Sequence, residues 1–162
     1  MKNPRSLPLW LLILFAISVL VLLSAGIAQG QKSRSASTTA TATQQPFYAD
    51  YKGVRLGMSR EEVHAKLGSP SMKDSEMDYF AFSDSEAAQV VYDATSKVKL
   101  ISVDYQEGIG APSPATVVGA ELERKADGSL YRIVHYNRQK FWVSYSRTAG
   151  PPNIVTVTIQ KM

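Results

Sequence analysis

Residues 54–70, VRLGMSREEVHAKLGSP, decide the fold because they contain a helix together with its start and stop signals. Ser59 can accept a hydrogen bond from the backbone N–H of Glu62, and the Glu62 side chain can reach back to the N–H of Ser59. This capping box predicts where the helix starts. Gly68 favours the left-handed conformation after the last turn, and Pro70 prevents continuation. We therefore expect a short helix between these two signals.

The apolar residues of this stretch predict which side of the helix is buried. Val63 and Leu67 stand four residues apart, so they lie on one helical face. Gly57 and Met58 precede the cap, and Met58 falls near the same apolar stripe. The stretch therefore has a structural role and indicates no reaction.

The first 46 residues are unlike a globular core. Residues 9–28 are an uncharged apolar run that is long enough to cross a bilayer as a helix. The positive residues in 1–8 favour a cytoplasmic N-terminus. Residues 29–46 lack aromatic and large aliphatic side chains, so they predict a flexible linker.

The apolar run allows two interpretations. It is longer than the usual apolar region of a signal peptide, which favours an uncleaved transmembrane signal anchor. The alternative is a cleaved signal peptide with Ala28 or Gly30 before the cut. Both interpretations place residues 47–162 on the extracytoplasmic side, in a periplasm or at the cell surface.

Charge and cysteine content exclude several classes of function. Residues 1–34 carry four basic residues and no acid, whereas residues 47–162 carry 14 basic and 14 acidic residues. The excess positive charge therefore lies outside the predicted domain, which argues against nucleic-acid binding. Within the domain, residues 47–107 have a net charge of −4 and residues 108–162 have +4. The chain has no cysteine, which excludes disulfides, thiolate metal sites and cysteine nucleophiles.

Residue alternation predicts the strands of residues 47–162. We expect strands at 77–82, 88–93 and 98–105, then a brief helix at 114–118 capped by Ser113, an extended piece at 121–125, and strands at 130–136, 141–146 and 154–160. A three-residue turn at 137–139 is predicted to join the two strands on either side of it.

The second half of the domain repeats the first. Gly68 matches Gly119 at a spacing of 51 residues, and Tyr79 matches Tyr131 at 52. This predicts tandem helix–three-strand repeats at about 51–107 and 108–162. We expect the two meanders to join into one antiparallel sheet with both helices on one face. The predicted fold class is therefore α+β, preceded by the N-terminal hydrophobic helix.

The helix motif resembles a known signature. Gly57-Met58-Ser59, followed by Val63 and then Leu67-Gly68-Ser69-Pro70, is similar to the "GMT…qV…lLGsP" pattern of SmpA/OmlA domains. These are BamE-like components of outer-membrane assembly, and they share a fold with the β-lactamase inhibitor protein. The resemblance covers about residues 51–105 and implies two helices on a curved antiparallel sheet, no catalysis, and binding of protein partners. BamE-like proteins are anchored through an N-terminal cysteine, whereas this chain has a hydrophobic segment.

Residue patterns indicate neither catalysis nor a metal site. His64 and His135 are the two histidines, and a metal site needs three or four convergent ligands, so both are interpreted as structural or surface residues. Glu61 and Glu62 point about 100° apart on the helix and suit its positive N-terminal end. We therefore predict a protein that is not an enzyme and has no cofactor and no metal.

Aromatic residues in the last strands are the candidate binding residues. On its strand, Val143 points away from Trp142. If the helices cover Ile133 and Val143, together with Val155, Val157 and Ile159 of the last strand, we expect Trp142, Arg132 and Tyr136 on the open face of the sheet. These residue types are common at binding hot spots. The alternative is that Trp142 packs under a loop or closes an edge of the core.

Together these observations predict a membrane-tethered, extracytoplasmic protein-binding module that acts in envelope protein assembly or maintenance. Its predicted partners are envelope proteins, together with the membrane through residues 9–28, and not nucleic acid. The alternative is an inhibitor or sensor domain of the β-lactamase-inhibitor-protein type that binds a hydrolase or an envelope ligand.

Overall fold

The helix predicted from the capping box forms as expected in the computed structural model, which describes residues 47–162. This helix, α1, spans Arg60–Leu67. Ser59 Oγ accepts from the Glu62 N–H at 3.3 Å, and Glu62 Oε2 accepts from the Ser59 N–H at 2.7 Å. Gly68 ends the helix at φ +84°, and its N–H donates to the carbonyl of His64 at 2.9 Å. Both predicted signals are confirmed.

Eight strands and a second helix follow. Their bounds are β1 Met72–Lys73, β2 Met77–Ala81, β3 Glu86–Tyr92, β4 Val98–Gln106, α2 Pro114–Val118, β5 Glu123–Arg124, β6 Leu130–Tyr136, β7 Phe141–Arg147 and β8 Ile154–Lys161. Ser113 caps α2 by accepting from the Thr116 N–H at 3.2 Å, and Gly119 ends it at φ +66°. The six longer strands lie within one or two residues of the bounds that alternation predicted.

All eight strands belong to one antiparallel sheet in the order β1-β2-β3-β4-β8-β7-β6-β5. The two meanders meet where β4 pairs with β8, from Leu100 opposite Gln160 to Gln106 opposite Ile154. This seam joins residues that are far apart in the chain. The two-residue strands β1 and β5 form the outer edges.

The described chain is mostly β, and the predicted α+β class is wrong. The two helices have only 8 and 5 residues, beside eight strands. Each half also contributes four strands rather than the predicted three, because β1 and β5 are added at the edges. Much of the cover on the sheet is irregular chain that includes Tyr51, Val54 and Leu56, so the helices do not form a layer.

The sheet has two unlike faces. We call one the covered face, because its side chains form the core with Val63 of α1 and with Val117 and Val118 of α2. Its central members are buried on neighbouring strands: Val90, Ile101, Val103, Val143, Val157 and Ile159. The alternating positions of the same strands make up the open face. None of them belongs to the core, and all except Ser144 are half-buried or exposed.

The predicted cytoplasmic N-terminus, hydrophobic helix and linker, residues 1–8, 9–28 and 29–46, lie outside the described residues. Within residues 47–162, neither helix has the length and apolar character needed to cross a membrane.

Candidate functional site

The open face carries an apolar stripe that includes Trp142. Trp142 lies opposite His135 on β6 and opposite Gln160 on β8. The row continues across β4, β3 and β2, and its six members are Met77, Val91, Leu100, Gln160, Trp142 and His135. We call these six residues the Trp142 row. Five strand spacings of about 4.8 Å make the row about 24 Å long.

Polar side chains without charge lie beside the Trp142 row. Ser102 Oγ and Thr158 Oγ1 are 3.2 Å apart on the seam strands β4 and β8. On the same strands, Thr156 Oγ1 donates to Asp104 Oδ1 at 2.7 Å. Asp104 is the one formally charged residue among the open-face positions of the six longer strands in the described chain, with histidine counted as neutral. The open face therefore suits a surface that is apolar and uncharged.

Of the three predicted binding residues, only Trp142 lies on the open face. The register pairs Val134 with Val143 and Tyr136 with Phe141, so Arg132 and Tyr136 lie on the covered face. The prediction placed Ile133 on the covered face with Val143, but Ile133 pairs with Ser144 and lies on the open face. Because side chains alternate with a period of two, the wrong assignment of Ile133 put every side chain of β6 on the wrong face relative to β7. The predicted placement of Arg132 and Tyr136 is wrong.

Tyr136 and Arg132 have structural partners instead. Tyr136 is 2% exposed and stacks on Phe141, with ring centroids 4.9 Å apart. Its hydroxyl accepts from the backbone N–H of Phe47 at 3.2 Å, so it holds the start of the described chain. Arg132 Nη1 lies 3.6 Å from Glu123 Oε1 on β5. Both residues bind other parts of this same domain.

A buried carboxylate between α1 and the sheet is the most polar part of the core. Asp78 on β2 is fully buried, and its Oδ2 accepts from the Tyr92 hydroxyl at 2.7 Å. His64 Nε2 lies 2.8 Å from the same oxygen, and Arg60 Nε lies 3.6 Å from it. A hydrogen bond donated by His64 to this oxygen uses the imidazole tautomer that has its proton on Nε2. We call Arg60, His64, Asp78 and Tyr92 the Asp78 cluster.

The Asp78 cluster positions α1 and does not resemble a catalytic group. The Arg60 guanidinium also donates to the carbonyls of Asp74 and Ser75 at 3.0 and 3.1 Å and lies 4.4 Å from the Tyr92 ring centroid. Burial, and then the hydrogen bond to Asp78, raises the pKa of the Tyr92 hydroxyl well above its usual range. Tyr92 is therefore a permanent donor near neutral pH. Sequence reasoning missed this cluster, although an aspartate inside the apolar run MDYFAF was a signal for it.

A second polar network ties the segment before α1 to β3. The Tyr51 hydroxyl donates to Glu86 Oε1 at 2.8 Å, and Lys52 Nζ lies 3.0 Å from Glu86 Oε2. Lys52 Nζ also lies 4.0 Å from the ring centroid of Phe82. Burial is the main cause that raises the pKa of Tyr51, followed by its bond to Glu86. These contacts hold the irregular segment that covers the sheet.

The histidines are in separate surroundings. His64 belongs to the Asp78 cluster, and His135 is exposed on the open face beside Trp142. Across residues 47–162, no group of three or more His, Asp or Glu side chains is arranged to hold a metal ion.

Comparison of the chain with protein-family models, with curated proteins and with solved structures found no match. The resemblance to SmpA/OmlA domains therefore stays a prediction.

Proposed function

We propose that residues 47–162 are a non-enzymatic docking module that binds a protein partner through the open face. The observation that carries this proposal is the Trp142 row, in which four of the six side chains are apolar and which no described element covers. Trp is the residue type most often found at binding hot spots, and it stands here beside exposed His135. The matching partner surface is apolar and uncharged, with hydrogen-bonding groups that meet the hydroxyls of Ser102, Thr156 and Thr158.

The sheet edges favour docking on the face over addition of a strand. A partner strand that extends a sheet needs a long free edge. Here both edges are two-residue strands, β1 and β5, and edge strands this short offer few unpaired backbone groups. The Trp142 row crosses six of the eight strands and offers much the larger contact area.

Photocrosslinking of the full-length chain in its native membrane tests where a partner docks. A photoreactive amino acid at His135 is expected to capture a protein partner, because this position is exposed beside Trp142. The same amino acid at Glu61, which is exposed on α1, is the control and should capture none of that partner. Equal capture at both positions would contradict the proposal. Capture of a second copy of this chain at His135 would assign the open face to self-association instead.

Trp142→Ala in the full-length chain tests the row directly. We expect partner capture to fall by about tenfold or more, since hot-spot truncation costs about 2 kcal/mol or more. The melting temperature should barely change, because the side chain is only half-buried. Phe47→Ala, which removes an aromatic side chain that is 55% exposed and outside the open face, is the matched control and should not affect capture. A large loss of stability in Trp142→Ala, with capture unchanged, would place Trp142 in a structural role.

We further propose that this module is tethered to a membrane through residues 9–28 and faces the extracytoplasmic side. The support is the length and apolar character of that run, with basic residues before it. The mass of the mature protein separates a retained anchor from a cleaved signal peptide. Protection of residues 47–162 from protease added outside spheroplasts would contradict the proposed orientation.

Within this proposal, an envelope-assembly role and an inhibitor role differ in the partner that is captured. Recovery of assembly proteins through His135 favours the first, and recovery of a hydrolase favours the second. Turnover of a small substrate by the purified chain would contradict the non-enzymatic assignment.

A further inference from the structure

A cleft of about 650 Å³ lies where β6 and β7 meet the turn that follows β5. Its lining includes Lys125, Asp127, Tyr131, Arg147 and Thr148. A neighbouring cavity of about 350 Å³ shares Arg147 and Thr148 with it and adds Arg124 to the lining. We call the two cavities together the edge cleft.

Register places the two arginines of the edge cleft on one row. Arg124 on β5 lies opposite Leu130 on β6, and Leu130 lies opposite Arg147 on β7. Two strand spacings put the arginine Cα atoms about 10 Å apart, on the same face of the sheet. Two long guanidinium side chains at this separation can reach a single small group between them.

The cations of the edge cleft keep donors available. Arg124 Nη1 donates to the carbonyl of Gly128 at 3.2 Å, and Arg147 Nε donates to Asn153 Oδ1 at 2.8 Å. Each of these bonds occupies one of the five N–H groups of an arginine and restrains the orientation of that guanidinium, so the other N–H groups remain available. Lys125 Nζ lies 5.3 Å from the Tyr131 ring centroid. None of the three forms an ion pair with a carboxylate of the described chain.

One acid, Asp127, lies among these cations, and its Oδ1 already accepts two hydrogen bonds. Asp127 Oδ1 accepts from the Ser129 hydroxyl at 2.6 Å and from the Ser129 N–H at 2.9 Å. These bonds hold the pKa of the Asp127 carboxyl below its usual value, so it is ionised at neutral pH. Arg124 and Arg147 lie on one face of the sheet, and Lys125 lies with Tyr131 on the other. These cations against one carboxylate leave the edge cleft with an excess of positive charge. This excess is part of the net +4 of residues 108–162.

We infer that the edge cleft is a binding site for a phosphate-type oxyanion. Guanidinium groups bind phosphate oxygens through paired N–H donors, and such charge-assisted bonds are about twice as strong as neutral ones. A tetrahedral oxyanion accepts bonds from several directions, which matches guanidinium donors that come from β5 and from β7 on the same face. A soluble phosphate and a phospholipid headgroup share this chemistry. The site is separate from the Trp142 row, so it does not depend on the docking function.

Hydrogen–deuterium exchange of the full-length chain tests the inference and its two possible sources. In neutral detergent, inorganic phosphate is expected to slow exchange in peptides covering 124–131 and 146–150, while chloride at equal ionic strength does not. In nanodiscs without added phosphate, slowing with phosphatidylglycerol but not with phosphatidylcholine alone would assign a lipid headgroup as the source. Slowing by soluble phosphate alone would assign a free anion. No slowing in either arm would overturn the inference.

Matched charge variants sharpen the test. Arg147→Gln is expected to weaken phosphate binding by about tenfold, because it removes the arginine common to both cavities. Lys73→Gln removes one positive charge from an exposed position on β1 and should change nothing. Asp127→Asn keeps the oxygen that Ser129 binds but removes the one negative charge, so affinity should rise severalfold.

Three outcomes would overturn the site. They are an equal loss in Lys73→Gln, no loss in a folded Arg147→Gln, and no gain in Asp127→Asn. The melting temperature of each variant establishes that it is folded. Should Arg147→Gln fail to fold, Arg147→Lys keeps the charge without the planar fork and should lose part of the affinity. Unchanged affinity in Arg147→Lys would then overturn the role of the guanidinium.

Discussion

At the scale of single residues, the Asp78 carboxylate has the largest structural consequence. It is fully buried, and three side chains from α1 and β3 surround the same oxygen. When one partner of a buried charged pair is removed, the charge of the remaining partner stays in the core without a compensating charge. The position therefore tolerates neither loss of charge nor loss of the acceptor.

Replacement of Asp78 by alanine is expected to lower the free energy of unfolding by about 3–5 kcal/mol. The reason is that His64 and the Tyr92 hydroxyl lose their common hydrogen-bonding partner inside the core, and Arg60 loses its ion-pair partner. Urea denaturation of the full-length chain measures the change. Asp84→Ala, at an exposed position, is the control and should stay within about 0.5 kcal/mol of the parent chain. Equal effects at the two positions would show that the Asp78 cluster does not stabilise the fold.

Buried tyrosines predict a loss of stability in alkali. Burial is the main cause that raises the pKa of Tyr51, Tyr92 and Tyr105 above the ordinary value. Below pH 10 both states keep these protons, so the stability is fully present. As pH rises above 10, the unfolded chain releases protons that the folded chain retains, and each tyrosine then contributes a loss of up to about 1.4 kcal/mol per pH unit.

Denaturation curves between pH 8 and pH 12 measure this slope, and tyrosinate absorbance reports ionisation directly. Tyr92→Phe is expected to make the alkaline slope shallower, because it removes one of the retained protons. A free energy of unfolding that stays constant up to pH 12 would contradict the raised pKa values.

At the scale of elements, α1 depends on its cap. The helix has eight residues, which is too short to be stable by propensity alone. It is held by the reciprocal bonds of Ser59 and Glu62, by burial of Val63 and by the contacts of Arg60 and His64 with Asp78. Loss of the cap alone should therefore loosen the helix without altering the sheet.

Ser59→Ala is therefore expected to cost about 1 kcal/mol, the usual effect of losing an N-cap. The loss should appear as faster amide exchange in α1, measured by hydrogen exchange, with β4 and β8 unchanged. Ser69→Ala, just beyond the end of the helix and exposed, removes a hydroxyl of the same kind and should have little effect. Faster exchange throughout the sheet in Ser59→Ala would mean that α1 is not a separate element.

At the scale of the whole described molecule, the seam between β4 and β8 joins the two halves. Ile159 of β8 is 1% exposed and lies between Ile101 of the first half and Val143 of the second. The core passes across this seam without interruption. The two meanders should therefore unfold together.

Ile159→Ala tests this cooperativity. Truncation of a large buried aliphatic side chain costs about 2–5 kcal/mol, and we expect the slowest-exchanging amides of β3 and of β7 to lose protection equally. Native-state hydrogen exchange measures both strands in one experiment. Ile109→Ala, at a position 61% exposed, is the control. Loss of protection in β7 alone would show that the two halves unfold independently.

The sequence by itself determined the features that depend on chain neighbours. The capping box at Ser59 and Glu62, the stop at Gly68 and the alternation of the six longer strands are local, and the structure matches them closely. Trp142 could be placed on the face opposite Val143 for the same reason. Propensity and alternation act over a few residues, so they can be recognised without knowledge of the fold.

Only the tertiary structure decided which residues are neighbours across the strands of the sheet. The register of β6 against β7 across the four-residue turn at 137–140 put Tyr136 beneath Phe47 and Arg132 on the covered face. The Asp78 cluster, the edge cleft and the β4–β8 seam likewise join residues from separate segments. The fold class also depended on how much of the chain that packs on the sheet is helical. Only two short helices form there, so the described chain is mostly β. Such contacts are selected by the packing of the whole core, because a change of one residue in register exchanges buried and exposed faces at no local cost.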